Sequence, residues 1–398
     1  MHGSIITQTG MILIVKDGTV FSRSFVDLRW KIVSDTSRFV VCPQALSRSS
    51  LFPRRIAVRA LLALLAAGSM LVAEDGTGVS APVSIVRAIP LPRVEGRIDH
   101  MSCDPGTSTV FLAALGNGTL EVISLDEGKV VCRVPELKEP QGVLVVPGSK
   151  EVVVAGGGDG TLKVYDRDSL KLGLSAEAPP HLTQLHALEI GDDADNVRYD
   201  EVARRVYVGY GEGALAVIDA LKWSRLGDIK LEGHPESFQL EKEGKRIFVN
   251  VPRAGHVAVV DREKGAVTEK WTIEGAGANF PMAVDEKHHR LFVGCRKPPR
   301  LVVLDTETGK TMASMECGED TDDLFHDAAR SRIYASCGAG VVDVFQEDPP
   351  ERWRLAAKVS TAQGARTSLF VPQLHRLLVA VPHRGSQGAE VLVYATER

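Results

Sequence analysis

VPGSKEVVVA, residues 146–155, runs from a glycine-containing turn through three polar residues into an apolar strand-like stretch. Six further segments repeat this plan: DPGTSTVFLA (104–113), DEVARRVYVG (200–209), EKEGKRIFVN (241–250), DEKHHRLFVG (285–294), DAARSRIYAS (327–336) and VPQLHRLLVA (371–380). Their first residues are separated by 42, 54, 41, 44, 42 and 44 positions, and the one long interval holds an insertion around residues 171–193. After each unit comes a turn and a second apolar-rich segment, such as GTLEVISL (118–125), GHVAVVD (255–261) and AEVLVYA (389–395). Alternating apolar residues bounded by turn chemistry mark antiparallel hairpins. An outer strand follows in most copies, for instance KVVCRVPE (129–136) and KTMASMEC (310–317). Four strands in roughly 43 residues, repeated seven times, predict an all-β fold, a seven-bladed β-propeller of four-stranded antiparallel blades.

The ends agree with this expectation. The seventh copy stops at Arg398 after its third strand, and VSIVRAIPL (83–91) is a strand without a copy of its own. An N-terminal strand that completes the last blade would close the ring and hide both edges. The propeller therefore spans residues 80–398.

Composition sets the remaining bounds. The 398-residue chain has a net charge of −4, with 44% hydrophobic and 25% charged residues, which fits a soluble globular protein with a sizeable core. No basic excess points to nucleic acid. RRIAVRALLALLAAGSMLVAED (54–75) has a basic start, a short apolar core and a cleavage point after Ala73, the pattern of a secretory signal. Residues 51–73 are thus read as a signal peptide, and residues 1–50, which lack periodicity, as an untranslated or disordered extension. The alternative is a buried or membrane-associated helix behind a genuine extension. The expected location is periplasmic or secreted, with a monomeric mature protein and no stable membrane span. Five cysteines would remain after cleavage: Cys103, Cys132, Cys295, Cys317 and Cys337. They show no metal spacing, and one pairing among Cys295, Cys317 and Cys337 is open.

EPQGVLVVPGSKEVVVA (139–155) and VLDTETGK (303–310) resemble the YVTN-type, YncE-like propellers of secreted bacterial proteins, and the likeness covers nearly all of 83–398. The resemblance implies the fold and export, and little about activity.

Aligning the copies brings out a polar slot four and five places before each unit. It holds Asp99-His100, Gln141-Gly142, Asp195-Asn196, Glu236-Ser237, Phe280-Pro281, Asp322-Asp323 and Arg366-Thr367, in order. In a propeller these positions rim the central channel on one face, so residues some 42 positions apart would converge. Carboxylates with Asn and His can hold a hard divalent cation or exchange protons. Regucalcin- and gluconolactonase-like propellers hold a metal at this place with acids and amides from different blades; the comparison is by architecture, without a shared motif. The bland alternative is strand capping around a water-filled channel. Cationic loops on the same face carry Arg253, Arg296, Lys297 and Arg384, with Arg366 beneath, and predict a basic sector opposite the acidic one. Arginine forks suit carboxylate or phosphate. The leading expectation is therefore a binding propeller that takes a small anionic molecule or a protein partner at its top face. Asp99, His100, Asp195, Asn196, Glu236, Asp322, Asp323, Arg366, Arg253 and Arg296 are the candidate ligand residues. The alternative is a metal-dependent hydrolase or lactonase at the same acids, with a divalent cation as cofactor. His181 and His186 in the insertion could belong to a lid, or merely to a decorated loop. No HExxH or GxSxG motif occurs.

Overall fold

The structure is a computed structural model that describes four strands within residues 4–33, and residues 82–172, 181–348 and 352–396 in full. Two compact units result, Met1–Gly78 and Val79–Arg398. The first carries strands Ser4–Gln8, Met11–Lys16, Thr19–Ser24 and Lys31–Val33, paired in sequence as an antiparallel meander. The signal-like segment 51–73 lies outside the described residues. No helix among the described residues is long and apolar enough to cross a membrane.

The second unit is seven four-stranded antiparallel sheets. Blades 1 to 6 start with innermost strands Met101–Asp104, Pro140–Val145, Val197–Asp200, Phe238–Leu240, Gly277–Asp285 and Thr321–Asp327. Each proceeds outward strand by strand in chain order. Blade 7 begins at Thr367–Val371 and takes its outer strand, Val83–Pro90, from the other end of the domain. That strand pairs antiparallel with Glu390–Thr396, placing Ile89 opposite Val391 and Ile85 opposite Tyr394. The ring closes as the sequence predicts.

Why the second strand of each unit reads as a solid apolar run is clear from the packing. Successive residues of a strand face opposite sides of the sheet, and each blade is covered on both sides. In blade 1, Phe111 and Ala113 pack toward blade 2, whereas Val110, Leu112 and Ala114 pack toward blade 7. The described core is accordingly seven apolar layers, one between each pair of neighbouring blades. Outer strands face solvent on much of their length, and each carries a register shift against the third strand. Such bulges twist an edge away from pairing with another chain.

The insertion proves to be part of a blade. Its described portion, Thr183–Glu189, is the outer strand of blade 2, and His186 stacks on Trp223 with ring centroids 6.3 Å apart. That places His186 at the periphery of the ring rather than over the channel, which removes its part in a lid.

Ile89 is fully buried in the layer between blades 7 and 1. Ile89→Ala removes side-chain volume from the closing strand without touching its hydrogen bonds. It should lower stability by about 2–5 kcal/mol, read as a shift of the urea midpoint at unchanged slope.

Candidate functional site

The polar slot is a β-bulge. In blade 1 the Asp99 N–H donates to the Ala113 carbonyl at 2.8 Å, while the Ala113 N–H donates to the His100 carbonyl at 3.0 Å. Two residues of the inner strand thus face one residue of the second. The same exchange joins Asp195-Asn196 to Gly209 and Glu236-Ser237 to Asn250. Register shifts mark the matching positions in blades 2, 5 and 6. A bulge re-aims side chains that a regular strand would send into the layers between blades. Blade 2 uses Gly142 here for a steric reason: a Cβ would lie 2.0 Å from the Asp195 carbonyl oxygen of blade 3.

Three of the predicted residues meet across two blades. His100 Nε2 lies 3.4 Å from Asp195 Oδ1 and 3.7 Å from Asp99 Oδ1, and one ligand atom from each of the three falls within 4.8 Å of the others. Arg97 holds the far oxygen of Asp99 at 2.6 Å. Asn196 Nδ2 donates to Asp195 Oδ2 at 3.3 Å. Asn196 Oδ1 is buried and has no hydrogen-bond partner, and buried Asp195 Oδ1 has only the His100 imidazole facing it, at 3.4 Å. Buried lone pairs without partners are costly, so this corner has acceptor capacity that the protein itself does not use.

The charge states follow from the crowding. Burial disfavours the His100 imidazolium, but the carboxylates of Asp195, Asp99 and Asp323 outweigh it and push the pKa up to about 10. Asp195 is disfavoured as an anion by burial, yet the His100 proton beside it holds its pKa below the usual range. Burial dominates at Asp99 and raises it, against the pull of His100 and Arg97. Glu236 is raised to about 7 by burial and then by the charge of Asp195. Asp323, whose Oδ2 accepts the Ser368 N–H at 2.7 Å, is likewise raised by burial to about 7.

Asp322 and the arginines are arranged differently from the sequence expectation. Arg366 of blade 7 holds Asp322 Oδ2 at 2.9 Å and both oxygens of Asp320 at 2.9 Å. Arg296 of blade 5 pairs with Asp322 from the other side, donates to the Thr321 carbonyl at 2.9 Å and lies 3.6 Å over the Phe280 ring. The basic sector therefore does not oppose an acidic one: the arginines clamp the acids of the blade between them, because facing slots of adjacent blades are closer than opposite walls. Asp322 becomes an ion-pair hub rather than an open ligand. Arg253 is largely exposed and stands 3.4 Å from Glu212, away from the others. Arg384 lines a side cavity of about 380 Å³ with Arg97, Arg366 and His383.

A second cluster has ligand spacing: Cys317, Cys337 and Asp343. Its carboxylate is already engaged, by Lys358 Nζ at 2.7 Å and by the Gly318 N–H at 2.8 Å. The two sulfurs are 3.8 Å apart as free thiols, and contact with Cys337, then burial, raises the Cys317 thiol pKa. Of the pairings left open by the sequence, this geometry brings together Cys317 and Cys337. As a metal centre it is the weaker of the two clusters, since an ammonium ion already neutralises its acid.

Two residues escaped the sequence reading. Arg97 lies just outside the aligned slot. Arg198 sits at the position two after the slot's second residue, where the other blades carry Ser102, Leu144, Gln239, Ala283, Phe325 and Leu369. A charge at one register of seven was the available signal.

No protein-family model matches the chain, and no curated protein matches it. Solved structures do resemble it. Hydrazine synthase of Kuenenia stuttgartiensis aligns at 15% identity and a TM-score of 0.63, covering 77% of this chain and 98% of that one. The WD40 repeats of RRP9 align at 12% identity and 0.67, covering 80% and 99%. A chain of the mitotic checkpoint complex aligns at 12% and 0.67, covering 91% and 100%. At these identities the likeness establishes the propeller fold and nothing of activity.

The raised pKa of Glu236 has a signed consequence. The folded state binds its proton more tightly than the ordinary value of 4.5 allows, so stability falls as pH rises from 4.5 through about 7. Glu236→Gln removes that penalty. It should be stabilising on the order of 2 kcal/mol at pH 8 and neutral at pH 4, read from paired urea denaturation curves.

Proposed function

We propose that the channel mouth binds a divalent cation through Asp99, His100 and Asp195, and that the protein is a metal-dependent hydrolase acting on a small ester or lactone. The observation that carries this is the convergence of three donor atoms beside a buried Asn196 oxygen that lacks a partner. Mixed oxygen and imidazole donors suit Mn²⁺ or Zn²⁺ better than an all-oxygen ion such as Ca²⁺. A cation held there would supply Lewis acidity toward a carbonyl and a more acidic water. Around it, Asn196 Oδ1 offers an acceptor, Arg97 fixes the orientation of Asp99, and Glu236, poised near neutrality, is suited to take a proton from water and return it to the leaving oxygen.

A second reading keeps the site non-catalytic, with a small anion held by cationic groups. The side cavity favours it, since Arg384 there has an exposed guanidinium and no carboxylate partner among the described residues. Membership of the YVTN-type group and export after cleavage near Ala73 belong to the same proposal, supported by the repeat pattern and the signal-like segment. N-terminal sequencing of protein recovered from the periplasm or medium of the producing cell should begin close to residue 74; a chain that keeps residues 51–73 would sink the export reading.

Because His100 carries a proton at neutral pH, a cation must displace it. Calorimetric titration of Mn²⁺ and Zn²⁺ should give one site per chain and release about one proton, seen as a dependence of the heat on buffer ionisation enthalpy. His100→Ala and Asp195→Asn should each abolish the site. Silence from both ions, or binding untouched by the two variants, rejects the metal centre.

A further inference from the structure

Beneath the mouth, the innermost strands of all seven blades enclose a cavity of about 280 Å³. Its wall mixes apolar side chains, Val143, Met282 and Leu324 among them, with polar ones that include Ser237, Gln239, Arg198 and the carboxyl of Asp323. Arg198 is the anomaly. Its guanidinium makes one hydrogen bond, from NH1 to the Val197 carbonyl at 2.9 Å, and sits 5.5 Å from the centre of the Phe238 ring. No carboxylate among the described residues lies within ion-pair distance of it. Other sheltered arginines of the ring are matched: Arg262 with Asp200 at 2.5 Å, Arg290 with Glu347 at 2.6 Å, Arg366 with Asp320 and Asp322. Burial works against the Arg198 charge, and Asp323 and Asp195 offset it only from a distance. A guanidinium has five N–H donors in a planar fork, and most of them here have no acceptor among the described residues.

We propose that the channel cavity is a carboxylate-binding site, in which Arg198 holds the carboxylate of a small organic acid and the apolar side chains of the wall take its hydrocarbon part. The fork geometry suits a carboxylate bound through both oxygens. At roughly 30 Å³ per water, the space equals about nine waters, which admits a carboxylate with a short chain. Inorganic phosphate fits the charge but would leave those apolar side chains unused. His100 borders the same cavity, so an acid seated on Arg198 would extend toward the mouth. This deepens the hydrolase reading by giving its substrate or product a carboxylate arm, and it rests on that reading for turnover but not for binding.

The test uses the full chain after chelator treatment and removal of the chelator. Butyrate, its neutral isostere butyramide, and inorganic phosphate are titrated in turn by calorimetry. Butyrate should bind, with butyramide and phosphate each weaker by roughly tenfold or more. Arg198→Gln should lose butyrate binding by a similar factor while Mn²⁺ binding, measured separately, is unchanged. Arg198→Lys keeps the charge without the fork and should fall between the two, which preserves the test if Arg198→Gln does not fold. Equal binding of butyrate and butyramide, phosphate tighter than butyrate, or butyrate binding that survives Arg198→Gln overturns the proposal. Butyrate binding in a protein that takes up no cation would leave this site standing and remove the metal centre.

Discussion

Everything in the ring depends on one non-local pairing, the antiparallel ladder between Val83–Pro90 and Glu390–Thr396. Blades are not self-sufficient: their middle strands are apolar on both faces and need a neighbour on each side. An open array would leave blade 7 without its outer strand. It would also leave exposed the layer in which Ile89 and Leu91 pack with Met101, Leu112 and Leu378. Closure buries that last layer, and it alone gives the innermost strands a common axis. The closed channel and its mouth exist because the two ends of the propeller domain meet in this ladder.

The bulge is the second constraint, and it turns a repeat into a site. Along a regular strand, alternate residues are committed to the two flanking layers. Two residues opposing one break that alternation at the channel mouth, where no layer has to be filled. Chemistry can therefore vary from blade to blade without loss of core. Gln141-Gly142 and Phe280-Pro281 occupy the same backbone position as Asp195-Asn196, and the blades around them keep the same four-stranded form.

The sequence made the fold legible because its signal is periodic. Five of six spacings near 43 residues, turn residues at fixed offsets and an unmatched first strand are each local facts that a ring joins together. The site was legible only as a set of positions. Asp99 and His100 of blade 1 do meet Asp195 of blade 3, since the slots converge on one channel mouth and the slot of the intervening blade 2 ends in Gly142, which has no side chain. Which acid finds which cation depends on side-chain length and on the direction imposed by the bulge, and neither has periodicity. Hence Arg296 and Arg366 were expected across the channel from Asp322 and instead grip it from both flanking blades. Arg198 was passed over because it lies two residues inside the apolar strand, where a repeat alignment treats a charge as noise.

The acids at the mouth divide into two groups by how their charge is met. Asp320 and Asp322 are paired with Arg296 and Arg366, whose positive charge persists at any ordinary pH. Asp99, Asp195, Glu236 and Asp323 have no such clamps in proportion. They are met by Arg97, by a proton shared onto His100, and by the raised pKa values of Glu236 and Asp323. Protons are thus the counterions of this half of the mouth. A divalent cation would answer the same excess of negative charge with one ion at the centre of the group, and would release the His100 proton in doing so. The clamped half would stay as it is, a fixed wall beside a half whose charge responds to what is bound.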